Sequence, residues 1–411
     1  MPSALFVHNG WPGRFAPIAE MLLQRGWECV LLNGPTGTDI KGARTTRWRL
    51  ADPLTNKNPL TRKAEADILQ GVGAATAAKN LAGSGFAPDL IIGHPGWGEM
   101  LFLREVFPAV PQIQIGEFYY HSRGADVGFD KEFETADDLR EQARVHARNL
   151  ALSLSYLDAA RIVCPTPFQA SLLPAQLRDR VAIIHEGIDT KRARRIEGAK
   201  LPLANGVELT ADQPVVTFIN RYFEPMRGFH VFMRALPDFL ARAPTAHVVM
   251  VGSDESLGYG QKAPGGQTWK QFMMRELEGR LDPSRVHFIG PVPYDMLLKV
   301  FSISSAHVYL TYPFVLSWSL LDAMACECLV VASDTAPVRD VVTDGVNGRL
   351  VDFFDPAALS DQLVEACANP GAYSAMRRAA RATVVERCER ATELLKWQAL
   401  IDATLADRAP K

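Results

Sequence analysis

The stretch "AHVYLTYPFVLSWSLLDAMACECLVVAS", residues 306–333, contains two short apolar runs separated by a helical pattern. The first run, "AHVYLTY", and the last, "LVVAS", have the length and composition of strands that are buried on both faces. The helix between them begins near residues 316–319 and directs Leu320 and Leu321 inward. A strand, a helix and a second strand in this order predict two parallel strands joined by a crossover helix.

The same alternation covers most of the chain. It stops once, at the polar and basic segment "KRARRIEGAKLPLANGVELTADQP", residues 191–214, and then restarts. Two doubly wound α/β domains are therefore predicted, with boundaries at 1–205 and 206–390 and a final helix at 391–411. The other apolar runs are "ALFVHN" at 4, "WECVLLN" at 27, "DLIIGH" at 89, "QIQIGEFYY" at 112, "RIVCPT" at 161, "VAIIHEG" at 181, "PVVTFIN" at 214, "AHVVMVG" at 246, "VHFIG" at 286 and "GRLVD" at 348.

The bulk composition argues for a folded protein without a strong electrostatic field. The chain has 411 residues, 47% of them hydrophobic, and a formal net charge of -2, which gives no reason to expect nucleic acid as a partner. The six cysteines lack histidines at metal-ligand spacing, so they are predicted to be reduced core residues. Because no apolar run approaches the ~20 residues that span a bilayer, a cytoplasmic protein is predicted.

Two arginines follow the strand "PVVTFIN". Arg221 and Arg227 lie six residues apart, just before a helix that starts near Gly228. Guanidinium groups at a strand end suit an anion such as a diphosphate, because Arg makes bidentate, charge-assisted hydrogen bonds. The alternative is a pair of surface arginines without a ligand.

The helix of the opening stretch carries one acid, Asp322. Its first residues, 316–319, would expose free backbone N–H groups and the positive end of the helix dipole, which bind phosphate without a charged side chain. Asp322, one turn further on, could bind the hydroxyl pair of a ribose. The alternative is an acid that only compensates the helix dipole.

Polar side chains also gather at strand ends of the first domain. Gly10 and Gly13 in "HNGWPGRF" allow a ligand to approach the backbone, although simple turn chemistry explains them equally well. His94 and Glu99 in "IIGHPGWGEM", and Glu117 after the next strand, suit sugar hydroxyls, which need donors and acceptors in pairs. The same loop adds Tyr119, Tyr120, His121, Arg123 and Asp126, while His8 could line the site from the first strand.

A long amphipathic helix is predicted over residues 130–160. Its apolar stripe contains Leu139, Val145, Leu150, Leu154 and Leu157. The charged residues between them are interpreted as a solvated face.

Four segments of the second half, in order, resemble the retaining glycosyltransferases of family 4. They are "NRYFEPMRGF", "VVMVGSDES", "VHFIGPVPYDMLLKVFSISSAHVYLTYP" and, most specifically, "SLLDAMACECLVVASDTAPVRDVVTDGVNGRLVDFFDP". The match spans about 206–360. The resemblance implies the GT-B fold: two Rossmann-like domains facing a cleft, with the nucleotide-sugar held by the second domain and the final helix crossing back to the first.

The resemblance also implies roles by position. Arg221 and Arg227 correspond to the Arg and Lys that hold the donor diphosphate, and Asp322 to the second Glu of the family motif, which binds the ribose. The first Glu of that motif, which contacts the transferred sugar, falls at Phe314. The amides of Leu316, Ser317, Trp318 and Ser319 would bind the diphosphate.

In the first domain, Gly13 resembles the loop glycine near the donor phosphates. Glu117 falls where the family commonly has a histidine that touches the donor sugar. Glu117 and His94 are therefore expected to be the sugar-side contacts of a subgroup with a variant N-terminal domain.

The function implied is transfer of a sugar from a UDP- or GDP-sugar to a saccharide or lipid-linked acceptor, in cell-surface glycan or glycolipid synthesis, without a metal or other cofactor. Two alternatives remain: a nucleotide-sugar epimerase or hydrolase of the same fold, and a catalytically weak nucleotide-sugar-binding protein. The basic segments "KRARRIEGAK" and "RRAARATVVER" could contact anionic lipid at the inner membrane face, although solvated edges explain them as well.

Overall fold

The computed structural model describes residues 1–10, 14–133, 138–204, 206–255 and 258–407. Within these ranges the chain forms two compact units. The first unit comprises Met1–Gly187 and the chain from Ala391 onward, and the second comprises Ile188–Arg390. Each unit is built around a parallel sheet with helices on its faces, which confirms the predicted α/β class and the GT-B architecture of two Rossmann-like domains.

In the described part of the first unit, seven parallel strands form one sheet in the order β3-β2-β1-β4-β5-β6-β7. The strand β3 was not predicted, because its sequence "RTTR" is polar. The strands are β1 (Ser3–His8), β2 (Glu28–Asn33), β3 (Arg44–Arg47), β4 (Leu90–Gly93), β5 (Gln112–Ile115), β6 (Arg161–Cys164) and β7 (Val181–Ile183).

The helices of the first unit cover both faces of its sheet. One face packs against side chains of α1 and the C-terminal helix α14, and the other against α2, α3 and α5. These helices are α1 (Ala16–Gln24), α2 (Arg62–Gly83), α3 (Leu103–Val106), α4 (Leu139–Ala147), α5 (Asn149–Asp158), α6 (Pro167–Ser171) and α14 (Arg390–Ala406).

In the described part of the second unit, six parallel strands form a sheet in the order β12-β11-β10-β13-β14-β15, and β8 and β9 make a small antiparallel pair. The strands are β8 (Lys200–Pro202), β9 (Glu208–Thr210), β10 (Val215–Tyr222), β11 (His247–Ser253), β12 (Val286–Phe288), β13 (Ala306–Tyr309), β14 (Val330–Ser333) and β15 (Arg349–Val351). The helices are α7 (Phe229–Arg242), α8 (Trp269–Glu276), α9 (Tyr294–Ser302), α10 (Trp318–Ala325), α11 (Ala336–Arg339), α12 (Pro356–Ala368) and α13 (Ser374–Arg387).

The division between the units lies earlier than the predicted boundary at 205. Residues 188–204 belong to the second unit because Ile188, Ala193, Ala199 and Leu201 are buried in its hydrophobic core. The polar composition of this segment had suggested a linker, but its few apolar side chains anchor it.

The predicted long helix is two helices, α4 and α5, and of the five residues in its predicted apolar stripe only Val145, on α4, is buried. Residues 134–137 of the predicted helix lie outside the described residues. Leu150, Leu154 and Leu157 are exposed, by 48 to 65%, whereas Leu152 and Tyr156 pack into the core. On α5 the predicted apolar face therefore points to solvent.

No helix within the described ranges combines the length and the apolar character that crossing a membrane requires. All six cysteines are free thiols, and all but the half-buried Cys367 are buried.

Candidate functional site

Arg227 is fixed between β10 and α7 in the second unit. The next residue, Gly228, adopts a left-handed conformation (φ 68°), and a Cβ there would lie 2.2 Å from the Cβ of Leu310. Only glycine allows this close approach without strain. The approach places Arg227 beside the segment that follows β13.

The guanidinium of Arg227 is hydrogen-bonded to the described residues through only one of its nitrogens, Nη1. Its Nη1 donates to Thr311 Oγ1 at 2.8 Å and to the carbonyl oxygen of Val315 at 2.9 Å. Its Nε and Nη2 make no hydrogen bond or ion pair with any residue that the structure describes. The group is therefore oriented by one edge while the other edge keeps its capacity to bind an anion.

Arg221 and Phe314 differ in burial and in their contact with Arg227. Arg221 is exposed, and its guanidinium carbon lies 5.2 Å from the ring centroid of its neighbour Tyr222. Phe314 is buried, with its ring centroid 5.6 Å from the guanidinium carbon of Arg227. The structure thus joins Arg227 to the segment 311–315, and among the described residues it gives Arg221 no hydrogen bond or ring contact with that segment.

The N-terminus of α10 comes directly after the segment 311–315 in the sequence. Ser317 caps the helix by accepting the Ser319 N–H through its Oγ, and its own N–H donates to Tyr309 Oη at 2.8 Å. Two of the four amides predicted to bind a diphosphate, those of Ser317 and Ser319, are thus already hydrogen-bonded. We call Arg227, Tyr309, Thr311, Val315 and Ser317 the Arg227 cluster.

Asp322 is buried rather than turned out to solvent, with 6% of its surface exposed. Its Oδ1 accepts a 2.8 Å hydrogen bond from Tyr294 Oη on α9. Burial raises the pKa of Asp322 to about 6, although Tyr294 and Arg390 act in the opposite direction. The carboxyl is therefore oriented by a protein donor and has a second oxygen for a ligand.

A second polar group lies in the first unit, at the carboxyl ends of its strands. Arg14 Nη2 contacts Glu117 Oε1 at 2.6 Å and Glu186 Oε1 at 3.0 Å, and His94 Nε2 lies 3.0 Å from Glu117 Oε2. We call Arg14, His94, Glu117 and Glu186 the Glu117 cluster. It contains both residues that were predicted to contact a sugar.

The protonation pattern of this cluster follows from its contacts. The Gly96 N–H donates to His94 Nδ1 at 3.1 Å, so the neutral ring carries its proton on Nε2 and donates it to Glu117. Burial alone would raise the pKa of Glu117, but Arg14 and His94 together hold that pKa well below its usual range. Glu117 is therefore an ionised hydrogen-bond acceptor rather than a proton donor.

Aromatic rings and a buried acid border the Glu117 cluster. The ring centroid of His8 lies 5.6 Å from that of His94 and 5.7 Å from that of Trp97. Glu99 is fully buried and accepts the N–H groups of Asn9 and Trp97 at 3.0 Å each. Glu99 thus organises the backbone near this site and has no exposed surface for a ligand.

Gly13, which was predicted to lie near donor phosphates, falls outside the described residues. The sequence did not identify four residues that orient candidate site residues: Arg14 and Glu186 in the first unit, and Tyr294 and Thr311 in the second. Arg14 follows the run "ALFVHN" and Glu186 lies near the end of the run "VAIIHEG", so their place at strand ends was a signal. No sequence signal pointed to Tyr294 or Thr311, because their roles depend on contacts with Asp322 and Arg227.

Two family models match the chain. One, described as "Glycosyl transferase family 4 group", matches residues 25–193, and the other, "Glycosyl transferases group 1", matches residues 204–383. The two matches follow one another along the chain and together leave only the ends and a short connecting segment unmatched.

Curated relatives match over part of their length. The phosphatidyl-myo-inositol mannosyltransferase of Mycolicibacterium smegmatis is 32% identical over 178 residues, 39% of this chain and 41% of the relative. The D-inositol 3-phosphate glycosyltransferase of Mycolicibacterium vanbaalenii is 26% identical over 229 residues, 55% of this chain and 47% of the relative. The chain therefore spans less than half the length of these two relatives.

Solved structures match over nearly the whole chain. The sucrose-phosphate synthase of Thermosynechococcus elongatus has a TM-score of 0.72 at 17% identity, covering 99% of this chain and 100% of its own. HepE from Anabaena, in complex with UDP and glucose, has a TM-score of 0.66 at 16% identity, covering 98% and 100%. At these identities the likeness shows the fold.

Proposed function

Because the chain belongs to the family 4 glycosyltransferases and has the GT-B fold, we propose that it transfers a hexose from a UDP- or GDP-sugar to a saccharide or lipid-linked acceptor. In this proposal the transfer retains the configuration at the anomeric carbon and uses no metal. The names of the relatives support an acceptor that contains an inositol or a phosphatidylinositol. The UDP in the HepE structure supports a nucleoside diphosphate donor.

The observation that carries this proposal is the orientation of Arg227. When the bond between the sugar and the diphosphate breaks, negative charge develops on the leaving phosphate oxygen. Thr311 and Val315 hold one edge of the Arg227 guanidinium, so the other edge can face that charge without reorganisation. The N-terminus of α10 adds the positive end of a helix dipole, and exposed Arg221 is assigned a supporting contact to the diphosphate.

The proposed reaction needs no protein nucleophile. The acceptor hydroxyl attacks the anomeric carbon on the face from which the diphosphate leaves, so a carbon–oxygen bond to the acceptor forms as the bond to the phosphate breaks. The hydroxyl proton passes to the departing phosphate oxygen. The protein then contributes mostly orientation and electrostatic stabilisation.

Asp322 and Glu117 are assigned the binding of hydroxyl groups. In the second unit, Asp322 accepts from the nucleotide ribose through the oxygen that Tyr294 does not use. In the first unit, Glu117 accepts from a sugar hydroxyl, because its low pKa keeps it ionised. The proposal includes a cytoplasmic location with peripheral contact to the membrane face where a lipid-linked acceptor would lie.

One observation favours a second candidate, a nucleotide-sugar-binding protein with weak catalysis. Phe314 stands where the family motif has the Glu that contacts the transferred sugar, and its ring packs near Arg227. An aromatic ring cannot accept a hydrogen bond from a sugar hydroxyl as a carboxylate does.

A two-stage experiment tests the proposal. Thermal shift with UDP, GDP, ADP and their common sugars identifies the donor base, since a ligand that binds only the native state stabilises it. Mass spectrometry of reactions with myo-inositol, phosphatidylinositol and simple methyl glycosides then detects transfer. Selective stabilisation with product supports the proposal, stabilisation without product from any acceptor favours the binding protein, and no stabilisation by any nucleotide contradicts both.

A further inference from the structure

Trp97 is the one exposed residue in a buried part of the first unit. It lies in the turn that follows β4, where 38% of its surface is exposed while residues 90–95 and 98–101 are buried. Its indole N–H makes no hydrogen bond with any residue that the structure describes. A large apolar side chain at the carboxyl end of a parallel sheet lies where such sheets bind ligands.

The turn that carries Trp97 is held from several sides. The backbone N–H of Trp97 donates to the buried Glu99 carboxyl group, and Lys63 Nζ donates to the carbonyl oxygen of Gly96 at 3.1 Å. Gly98 has a φ of 90°, and a Cβ there would lie 2.1 Å from the Asp67 carbonyl oxygen. The backbone is thus fixed against α2, and an indole on a fixed backbone loses little freedom when a ligand covers it.

The indole lies next to polar groups of the Glu117 cluster. Its ring centroid is 5.0 Å from that of His94, whose Nε2 donates to Glu117. An aromatic face beside a carboxylate suits a sugar or cyclitol ring, which presents C–H bonds on one face and hydroxyls at its edge.

The charges of the Glu117 cluster argue against a phosphate as the stacked group, and the Lys63 ammonium beside the turn is neutralised by its ion pair with Asp67. The Glu117 cluster contains one guanidinium, Arg14, and two carboxylates, Glu117 and Glu186, that contact it. All the described residues to which we assign the nucleotide lie in the second unit. A neutral ring fits this surface better than a nucleoside diphosphate does.

We propose that the indole of Trp97 is the platform on which the acceptor's neutral saccharide or cyclitol ring stacks, and that Trp97 therefore determines acceptor specificity. The identity of this ring as the acceptor rests on the function proposed above. The existence of the platform rests only on the first unit.

The test is saturation-transfer difference NMR on the full chain, with saturating UDP or GDP present. The probes are methyl α-mannoside, methyl α-glucoside, methyl N-acetyl-α-glucosaminide and myo-inositol. Saturation should reach the ring C–H protons of at least one probe. Trp97→Ala should weaken its binding about tenfold, whereas Trp97→Phe should stay within about threefold, because phenylalanine keeps an aromatic face. Phe354→Ala, which removes another exposed aromatic side chain in the second unit, should leave binding unchanged.

Thermal shift with UDP and GDP on the same variants separates this inference from the proposed function. Nucleotide stabilisation of all variants, with saccharide binding lost only in Trp97→Ala, supports both. Saccharide binding that depends on Trp97 without any nucleotide stabilisation supports the platform and contradicts the proposed function. Loss of nucleotide binding in a folded Trp97→Ala variant would overturn the acceptor assignment. Equal saccharide binding by Trp97→Ala and the wild type, or no probe bound by the wild type, would overturn the platform.

Discussion

Arg227 contributes to both stability and the proposed chemistry. Arg227→Ala leaves the buried Thr311 hydroxyl and the Val315 carbonyl without their donor, which should cost about 1–3 kcal/mol of the free energy of unfolding. It should also lower kcat/KM by roughly 10² or more, because a charge-assisted contact to the leaving group is lost. Steady-state kinetics with the donor found by thermal shift measures this effect.

The matched control is Arg234→Ala on α7 of the same unit, where the arginine pairs with Glu276. It removes a guanidinium of equal size and charge, and should change kcat/KM less than about twofold. An Arg227→Ala enzyme with turnover close to the wild type would contradict the assignment of Arg227 to the leaving group.

Glu99 makes stability depend on pH. Burial raises the pKa of Glu99 to about 8, against the opposing hydrogen bonds from Trp97 and Asn9. The native state therefore binds a proton that the unfolded state has released at neutral pH, and the free energy of unfolding falls as the pH rises through 8. For this group the fall between pH 7 and 9 is about 1.4 kcal/mol.

Chemical denaturation of the wild type and Glu99→Gln at pH 7, 8 and 9 measures this contribution. The variant cannot ionise at this position, so its stability should fall by less over the same range. Parallel curves for the two proteins would show that Glu99 does not titrate there.

At the scale of elements, α5 shows why a pattern of leucines did not identify the buried face. The buried stripe contains Asn149, whose side chain donates to the Tyr120 carbonyl oxygen and accepts the Tyr120 N–H. A polar residue satisfied in this way can face the core, and its partner lies 29 positions away. Periodicity counts only the apolar residues, so it selected the stripe of exposed leucines.

The two stripes of α5 predict different effects of the same substitution. Leu152 is 5% exposed and packs with Tyr156, so Leu152→Ala should destabilise the protein by about 2–5 kcal/mol. Leu154 is 48% exposed, so Leu154→Ala should change stability by less than about 0.5 kcal/mol. Urea unfolding followed by circular dichroism compares them, and a larger loss for Leu154→Ala would contradict the orientation of α5.

The sheets were more predictable than the site. The six strands of the second unit's parallel sheet coincide with apolar runs of the sequence, because strands buried on both faces need apolar side chains throughout. The edge strand β3 was missed since it is polar, and β8 and β9 because they are short and lie in a polar segment. Among the candidate site residues, Arg227 was predicted from its place at a strand end, but the orienting contact of Tyr294 to Asp322 joins residues 28 positions apart. No local pattern reports such a pair.

At the scale of the whole molecule, the chain passes from one unit to the other at 187–188 and returns at 390–391. The returning segment, α14, is part of the first unit's core: Trp397 and Ile401 are buried in it, and Glu393 accepts the His185 N–H at 2.8 Å. The first unit is therefore discontinuous in sequence, whereas the second is continuous.

This organisation predicts how fragments behave. Residues 188–390 should fold alone with a cooperative unfolding transition, because the side chains described in their main hydrophobic cluster all come from this range. Residues 1–187 should not, since without α14 they expose the core surface that Trp397 and Ile401 cover. Joining 391–407 to 1–187 through a flexible Gly/Ser linker should restore cooperative unfolding, and Trp397→Ala in that fusion should cost about 3–5 kcal/mol. Urea unfolding of the three fragments checks this, and a fragment 1–187 as stable as the fusion would show that α14 is dispensable to the first unit.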